Sequence, residues 1–392
     1  TSIGATGTVN LTGGRFEFGQ MDLAEFSTIN ATGGALAGNV NVNGVNDAAL
    51  LTALQNTAAD LGDVAAVNSG LLHGGAILKS SLDNQASGEV ETMAGARMQF
   101  SGMGNTNEGE INNFGGQIRF DQDLTNQADG FIGGEGKFIA NGGWTNQGVM
   151  AFTGTTYILG DIDNDAGGQI VTTGSSTTNI FDDLEHNGVE IRTSAGSHTV
   201  ILGASSGTGS YTGTGTVYFE GDLRPGNSPG AVSFGGDVVL GSSSTTQIEL
   251  AGTTAGAYDQ LLIAGELALG SELEVTLLSG FVPDPGDQFS IITANTIRGT
   301  FATYNAPALS GGLMLHLLYE PTVVSLASGG SWRRGSGRHS QSGPGHSEHE
   351  LRRREPGPVG GPGRLQHLAG QCRWRLGGCR LQRRCQHRPC GL

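Results

Sequence analysis

The carboxylates with the best spacing for chemistry lie between residues 161 and 183. Asp161, Asp163 and Asp165 alternate along the chain, and Asp182 and Asp183 follow later. Alternating carboxylates supply the oxygen ligands that Ca²⁺ prefers, and paired acids can hydrolyse a glycosidic bond. A polysaccharide lyase would also want a cation, and no Lys or Arg lies within this group. Turn-forming Asp residues are therefore the favoured interpretation, and a weak calcium site at Asp161, Asp163, Asp165 and Asp182 is the alternative.

Other catalytic patterns are not found in the sequence. The chain has no G-x-S-x-G segment that would place a serine nucleophile. The Gly-rich run at 207–215 lacks the Lys of a phosphate-binding loop. The histidines before residue 330 are isolated from one another: His73, His186, His198 and His316. We predict no catalytic residue, no enzyme activity and no cofactor other than calcium.

Three aromatic residues are candidates for carbohydrate contact. Trp144, Tyr157 and Tyr211 could stack on sugar rings or fill the interior of the fold. Filling of the interior is the favoured alternative for all three residues.

The net charge of −15 is divided unevenly along the chain. Residues 1–330 hold eight basic and 33 acidic residues, whereas residues 331–392 hold 13 Arg, no Lys and three Glu. An acidic body repels nucleic acid and anionic membranes, and no apolar run is long enough for a membrane-spanning helix. The body has no Cys, which fits a bacterial secreted protein. We predict an extracellular or cell-surface monomer that binds no nucleic acid and has no membrane insertion.

A repeat of about 20 residues organises the chain between residues 82 and 203. Each unit contains an apolar residue near an Asn, then a Gly, then two apolar positions. The Asn residues are Asn84, Asn126, Asn146, Asn164 and Asn187. The Gly residues are Gly88, Gly109, Gly130, Gly148, Gly168 and Gly188. The first apolar positions are Val90, Ile111, Ile132, Met150 and Ile170. The second apolar positions are Phe100, Phe120, Phe138, Ile158, Phe181 and Val200.

A repeat of this length predicts an all-β fold, a right-handed parallel β-helix (β-solenoid). Stacked coils would place equivalent apolar residues in a continuous internal column. The recurring Asn could form amide ladders from coil to coil or could simply favour turns. Residues 1–213 would give about ten coils, roughly 50 Å long at the usual strand spacing. A short helical insertion is predicted at about 46–62, where Asn46 or Asp47 could cap a helix.

Residues 214–327 are predicted to contain the last coils and a sandwich-like C-terminal β cap, because their strand-like segments have irregular spacing. A cap of this kind would cover the exposed sheet edge at the end of the solenoid. The chain begins at Thr1 without the features of a signal peptide, and we expect it to be a fragment of a larger protein.

An ordered set of motifs runs from residue 221 to residue 326. The motifs are GDLRPGNSPG at 221–230, YDQL at 258–261, GDQFSII at 286–292, GTF at 299–301 and GLML at 312–315. The order resembles the C-terminal region of autotransporter-like β-helical passengers. It is also similar to secreted β-repeat proteins of planctomycetes and cyanobacteria. The resemblance implies a secreted or surface β-solenoid, and it names no reaction.

Residues 328–392 form a basic tail with little strand or helix pattern, which we predict to be disordered. Three hypotheses compete: a nucleic-acid-binding arm, a zinc site, and a shifted reading frame. Cys372, Cys379, Cys385 and Cys390 do not form the two C-x₂₋₄-C pairs of structural zinc sites. Read one base later, 380–389 can encode alternating acidic residues that resemble a dockerin-type calcium loop. We favour the shifted frame, and the nucleotide sequence decides it.

The sequence therefore predicts a non-enzymatic, secreted or cell-surface β-solenoid with a structural or adhesive role. Its partners would be surface polysaccharide or other cell-surface proteins. The alternative is a carbohydrate-active β-helix, either a polysaccharide lyase or a glycoside hydrolase. A groove with converging acids and a cation would favour that alternative.

Overall fold

A computed structural model describes residues 2–3, 8–23, 28–42, 45–47, 65–78, 81–226 and 228–330 of the chain. The described residues all belong to one unit of the chain, Thr1–Arg333. Ser328–Gly330, the start of the predicted disordered tail, belong to a strand, and the tail from residue 331 onward lies outside the described residues. Asn46 and Asp47 of the predicted helical insertion belong to a strand, and 48–64 lie outside the described residues. No helix long and apolar enough to cross a membrane occurs in these ranges.

The described part of the chain is built almost wholly from short strands. The first strands are β1 (Ser2–Ile3), β2 (Thr8–Leu23), β3 (Thr28–Val42), β4 (Val45–Asp47), β5 (Ala65–Asn68), β6 (Leu71–His73), β7 (Ala76–Leu78), β8 (Ser81–Asn84), β9 (Glu89–Met93), β10 (Arg97–Phe100), β11 (Asn105–Asn107), β12 (Glu110–Phe120), β13 (Leu124–Asn126), β14 (Phe131–Ala140), β15 (Trp144–Asn146), β16 (Val149–Leu159) and β17 (Ile162–Asn164).

The remaining elements follow in the same manner, with one 3₁₀ turn at Ser310–Gly312. The strands are β18 (Gln169–Thr172), β19 (Thr177–Ile180), β20 (Leu184–His186), β21 (Glu190–Thr193), β22 (His198–Ile201), β23 (Ser205–Ser206), β24 (Ser210–Thr212), β25 (Thr216–Phe219), β26 (Ala231–Phe234), β27 (Asp237–Leu240), β28 (Thr245–Leu250), β29 (Gln260–Leu269), β30 (Glu272–Leu277), β31 (Gln288–Gly299), β32 (Thr303–Asn305), β33 (Leu313–Tyr319) and β34 (Val323–Gly330).

The strands stack in parallel as the coils of a β-solenoid, which confirms the predicted fold class. An 11-stranded sheet runs from β1 to β23, and a three-stranded sheet contains β28, β30 and β32. Leu223 joins these two sheets, because it bridges Ser205 on one side and Thr246 on the other. The combined layer is called face 1.

The 20-stranded sheet forms the other two sides of each coil. In β12 the first half pairs with β9 and the second half with β10, and the register shifts between Phe114 and Gln117. The column of strands that includes β9, β18, β21, β24 and β26 is called face 2. The column that includes β10, β19, β22, β25 and β27 is called face 3. Each regular coil therefore carries three strands, one on each face.

Alternate side chains of most strands point inward, and faces 2 and 3 each contain continuous apolar columns. The column on face 2 confirms the first apolar positions of the repeat, because all five are fully buried: Val90, Ile111, Ile132, Met150 and Ile170. On face 3, Phe100, Phe120, Phe138 and Ile158 are buried as expected. They occupy two columns, however, because Phe100 pairs with Phe120, whereas Phe138 pairs with Ile158. The next two predicted positions are wrong by one residue. Ile180 and Ile201 are buried, whereas Phe181 lies outward and Val200 is half-buried.

Parallel stacking continues past residue 213 and reaches β32. The predicted strand segments of this region are confirmed, since they fall within β25, β27, β28, β29, β30, β31 and β33. Among the named strands of the described ranges, antiparallel pairing is confined to β31 with β34 and β33 with β34. This three-stranded antiparallel group terminates the stack.

Candidate functional site

A column of buried amides, here called the amide ladder, runs through the interior beside face 1. Each Asn donates an Nδ2 hydrogen to Oδ1 of the next Asn at 2.7–2.8 Å. The members are Asn68, Asn84, Asn107, Asn126, Asn146, Asn164 and, at the end, His186. All seven are 0–1% exposed. Of the two explanations for the repeated Asn, the amide ladder is confirmed.

The repeated Gly residues follow from the amide ladder. Asn84, Asn126 and Asn164 also donate to the carbonyl oxygen four residues later, on Gly88, Gly130 and Gly168, at 3.2–3.3 Å. A Cβ on any of these glycines would overlap with the Asn side chain and with the backbone of the preceding coil. A residue with a side chain would therefore push apart two coils and break the amide contact.

His186 ends the amide ladder with a different chemistry. Its Nδ1 accepts from Asn164 Nδ2 at 3.0 Å, so Nε2 carries the proton and donates to the Ser210 carbonyl at 3.1 Å. Burial lowers the pKa of His186 below its usual value. The repeat predicts Asn187 in this column, and that prediction is wrong by one residue, because His186 is in register with Asn164. Asn187 is instead paired with Glu185 on the surface.

Of the carboxylates proposed for calcium, Asp161 and Asp182 lie at the turn between face 3 and face 1, Asp163 lies on face 1, and Asp165 follows the face 1 strand. Asp161, Asp163 and Asp182 are exposed, and Asp165 is half-buried. Asp161 Oδ1 accepts from the Asp183 N–H at 3.2 Å. Asp182 Oδ2 accepts from the Gly160 N–H at 2.7 Å. These two carboxylates therefore satisfy backbone donors of neighbouring coils.

Asp163 lies within face 1, in register with Glu185 on the next strand. Burial, and then the charges of Glu185, Asp165 and Asp161, raise the pKa of Asp163. Mutual repulsion of this kind would be relieved by a cation. Within the ranges that the structure describes, however, no group of three or more His, Cys, Asp or Glu is arranged to hold a metal ion. Calcium binding here stays a prediction.

The three candidate aromatic residues divide between the interior and the surface. Trp144 and Tyr211 are buried, as the favoured alternative predicts. The Tyr211 hydroxyl shares a hydrogen bond with Ser205 Oγ at 2.8 Å, and burial raises its pKa to about 12. Tyr157 was expected in the interior, but it lies outward on face 3 with 36% of its surface exposed. The reason is the alternation of β16, in which Thr156 and Ile158 point inward.

Tyr157 lines a shallow cleft, here called the aromatic cleft, at the corner between face 2 and face 3. The cleft has a volume of about 340 Å³. Its lining residues are Gly115, Gly116, Glu135, Gly136, Lys137, Thr155 and Tyr157. Of these residues, the sequence identifies only Tyr157 as a candidate for ligand contact. The run of paired glycines in successive coils, at 115–116, 133–134 and 136, was the signal available for the rest.

The PGNSPG and YDQL motifs meet in one buried contact. Asp259 is 2% exposed, and its carboxylate accepts from the N–H groups of Gly230 at 2.6 Å and Glu249 at 2.8 Å. Burial raises the pKa of Asp259 to about 6. Tyr258 packs edge-on against Phe289 of the GDQFSII motif, with ring centroids 5.5 Å apart. The motifs therefore hold irregular coils together, and none of these contacts forms a reactive centre.

Comparison of the chain with protein-family models gives no match, and comparison with curated proteins gives none either.

Proposed function

We propose that this chain is a non-enzymatic structural or adhesive β-solenoid, secreted or displayed on a bacterial cell surface. The observation that carries the proposal is the amide ladder. It is an unbroken chain of buried hydrogen bonds that links seven side chains, one from each of seven successive coils. Such a ladder fixes the register of the coils from Asn68 to His186 against one another. A stiff unit with fixed register suits the display of a surface at a distance.

The outward chemistry supports the same function. Asp161 and Asp182 accept from backbone N–H groups on the surface of the stack, and no Lys or Arg lies among the carboxylates at 161–183. The acidic composition of residues 1–330 favours an extended surface that stays dispersed in water. Surface polysaccharide or another cell-surface protein is the partner that this proposal requires.

The experiment combines a test of location with a test of activity. Antibody labelling of intact cells of the source bacterium should detect the protein at the surface, and the secreted fraction should contain the remainder. The purified protein should release neither reducing ends nor unsaturated uronates from pectate, alginate, xylan or β-glucan. Turnover of any of these substrates, lost in an Asp163→Asn variant, would overturn the proposal in favour of a carbohydrate-active β-helix.

A further inference from the structure

The floor of the aromatic cleft is made of backbone. Gly116 and Gly136 lie at the corner of successive coils, and a Cβ at either would overlap the backbone of the coil before it. Gly115, Gly136 and Gly154 also have positive φ values of 89°, 107° and 61°, which side chains rarely allow. The cleft is therefore a consequence of how the coils stack, and larger residues cannot fill it.

The walls of the aromatic cleft combine one flat ring with free polar groups. The Tyr157 ring packs beside Phe181, with centroids 6.1 Å apart and planes inclined by 40°. Lys137 lies next to Tyr157 on the neighbouring strand. The Glu135 carboxylate lies over Gly154, one coil further on. No salt bridge joins Glu135 to Lys137, and both side chains are exposed.

We propose that the aromatic cleft binds a neutral hexopyranose unit of a polysaccharide, which names the ligand class of the adhesive function proposed above and rests on it. The apolar face of the sugar ring lies on Tyr157. Lys137 donates to sugar hydroxyls, Glu135 accepts from them, and Thr155 can do both. One aromatic surface with a few convergent polar groups is the usual composition of a small-ligand site.

Charge selects the neutral sugar. The cleft carries one ammonium and one carboxylate, so its own lining has no net charge. The surrounding body is strongly acidic and repels polymers of uronic acids. The cleft is open along face 3, where the coils stack in parallel. Further sugar units of the polysaccharide can therefore extend past Phe181.

The test is affinity electrophoresis of the full chain in native gels that contain soluble galactomannan, dextran or mixed-linkage β-glucan, with polygalacturonate as the acidic comparison. At least one neutral polysaccharide should retard the wild-type protein, and polygalacturonate should not. Tyr157→Ala should weaken the retardation at least tenfold, as for a central aromatic contact. Tyr157→Phe should keep the affinity within about twofold, because the ring is retained. Leu262→Ala, which removes an exposed apolar side chain elsewhere, should change nothing.

The outcomes separate this inference from the function on which it rests. Retardation that is equal in wild type and Tyr157→Ala overturns the cleft as the site and leaves the adhesive function standing. Retardation by no neutral polysaccharide overturns the sugar ligand, while surface labelling still tests the display function. Where Tyr157→Ala fails to fold by circular dichroism, Lys137→Met, which removes the donor, is measured instead, and unchanged affinity in that variant overturns the inference.

Discussion

The two halves of the solenoid fill the same interior position in opposite ways. Between Asn68 and His186 the last residue of each face 1 strand is a polar group of the amide ladder. After the bridge at Leu223, the equivalent positions hold Ile248 and Val275, which pair with each other and are buried. The same backbone stacking therefore tolerates either a polar or an apolar interior column.

The change between these columns is made by an aromatic group. His186 contacts the Tyr211 ring edge-on at 5.3 Å, and Tyr211 stacks on Phe234 at 4.8 Å. Gly209 leaves room for the imidazole, since a Cβ there would overlap its ring. The amide ladder thus ends at the His186 ring, whose nitrogens form hydrogen bonds and which packs against the ring of Tyr211.

The polar and the apolar interior columns differ in how strictly they fix the register of the coils. A hydrogen-bonded ladder admits one register, because sliding a coil along its neighbours, even by two residues, would leave the buried amide of that coil without its partners. An apolar column is less exact about register. The second half instead uses specific contacts at irregular loops, of which Asp259 is the best defined.

The largest expected effect comes from placing an apolar residue in the polar column. Asn146→Leu keeps the size of the side chain but leaves Asn126 Nδ2 and Asn164 Oδ1 without their partners. We expect a loss of about 3–5 kcal/mol in the free energy of unfolding, because several buried polar groups lose a hydrogen bond. Urea denaturation followed by circular dichroism measures it. The surface variant Asn187→Leu is the control and should lose about 0.5 kcal/mol.

A loss below about 1 kcal/mol for Asn146→Leu would contradict the distinction between the two columns. It would mean that the interior beside face 1 accepts apolar residues in both halves equally.

The second effect belongs to the irregular half. Asp259→Ala removes the acceptor for the Gly230 and Glu249 N–H groups, and we expect a loss of about 2 kcal/mol near pH 4. Burial raises the pKa of Asp259 to about 6. The folded state then binds the proton more tightly than the unfolded state, so the stability linked to that proton is full below about pH 4 and is lost as the pH rises through 6.

The difference in unfolding free energy between wild type and Asp259→Ala should therefore shrink from pH 4 to pH 7. A difference that grows over this interval would show that the two backbone donors outweigh the burial of the carboxylate. Asp237→Ala, an exposed carboxylate in the same half, serves as the control.

The sequence predicts the regular half far better than the points where it changes. The 20-residue spacing and the Asn–Gly pairing are local signals, and they are sufficient for the coils from Leu82 to Ile170. Phe181 and Asn187 are one residue away from the inward positions, because an apolar or amide side chain lies directly after the inward Ile180 and His186. The contacts of Asp259 and the lining of the aromatic cleft combine residues from different coils. The sequence of a single repeat unit therefore does not predict them.

His186 provides a third, pH-dependent difference between the halves. Burial lowers its pKa, so folding favours the neutral ring, whose Nδ1 must accept from Asn164. The stability that this contact contributes is present above the unfolded pKa of about 6.5 and is lost as the pH falls below it. In His186→Asn the amide can continue the ladder without a titrating group. Lowering the pH from 7.5 to 5 should therefore reduce the melting temperature of wild type more than that of His186→Asn. Equal reductions in the two proteins would refute the role of the ring.

The smallest effect is expected on the outside of the regular half, where polar groups are exposed. Asp182→Asn keeps an acceptor for the Gly160 N–H and should change the unfolding free energy by no more than about 0.5 kcal/mol. If Asp161, Asp163, Asp165 and Asp182 serve only as turn and backbone partners, millimolar Ca²⁺ should raise the melting temperature of neither protein. A calcium-dependent rise in wild type that is reduced in Asp182→Asn would instead establish the site, since a ligand that binds only the folded state stabilises it. That result would make the exterior carboxylates the counterpart of the interior amides, because both would then bind one coil to the next.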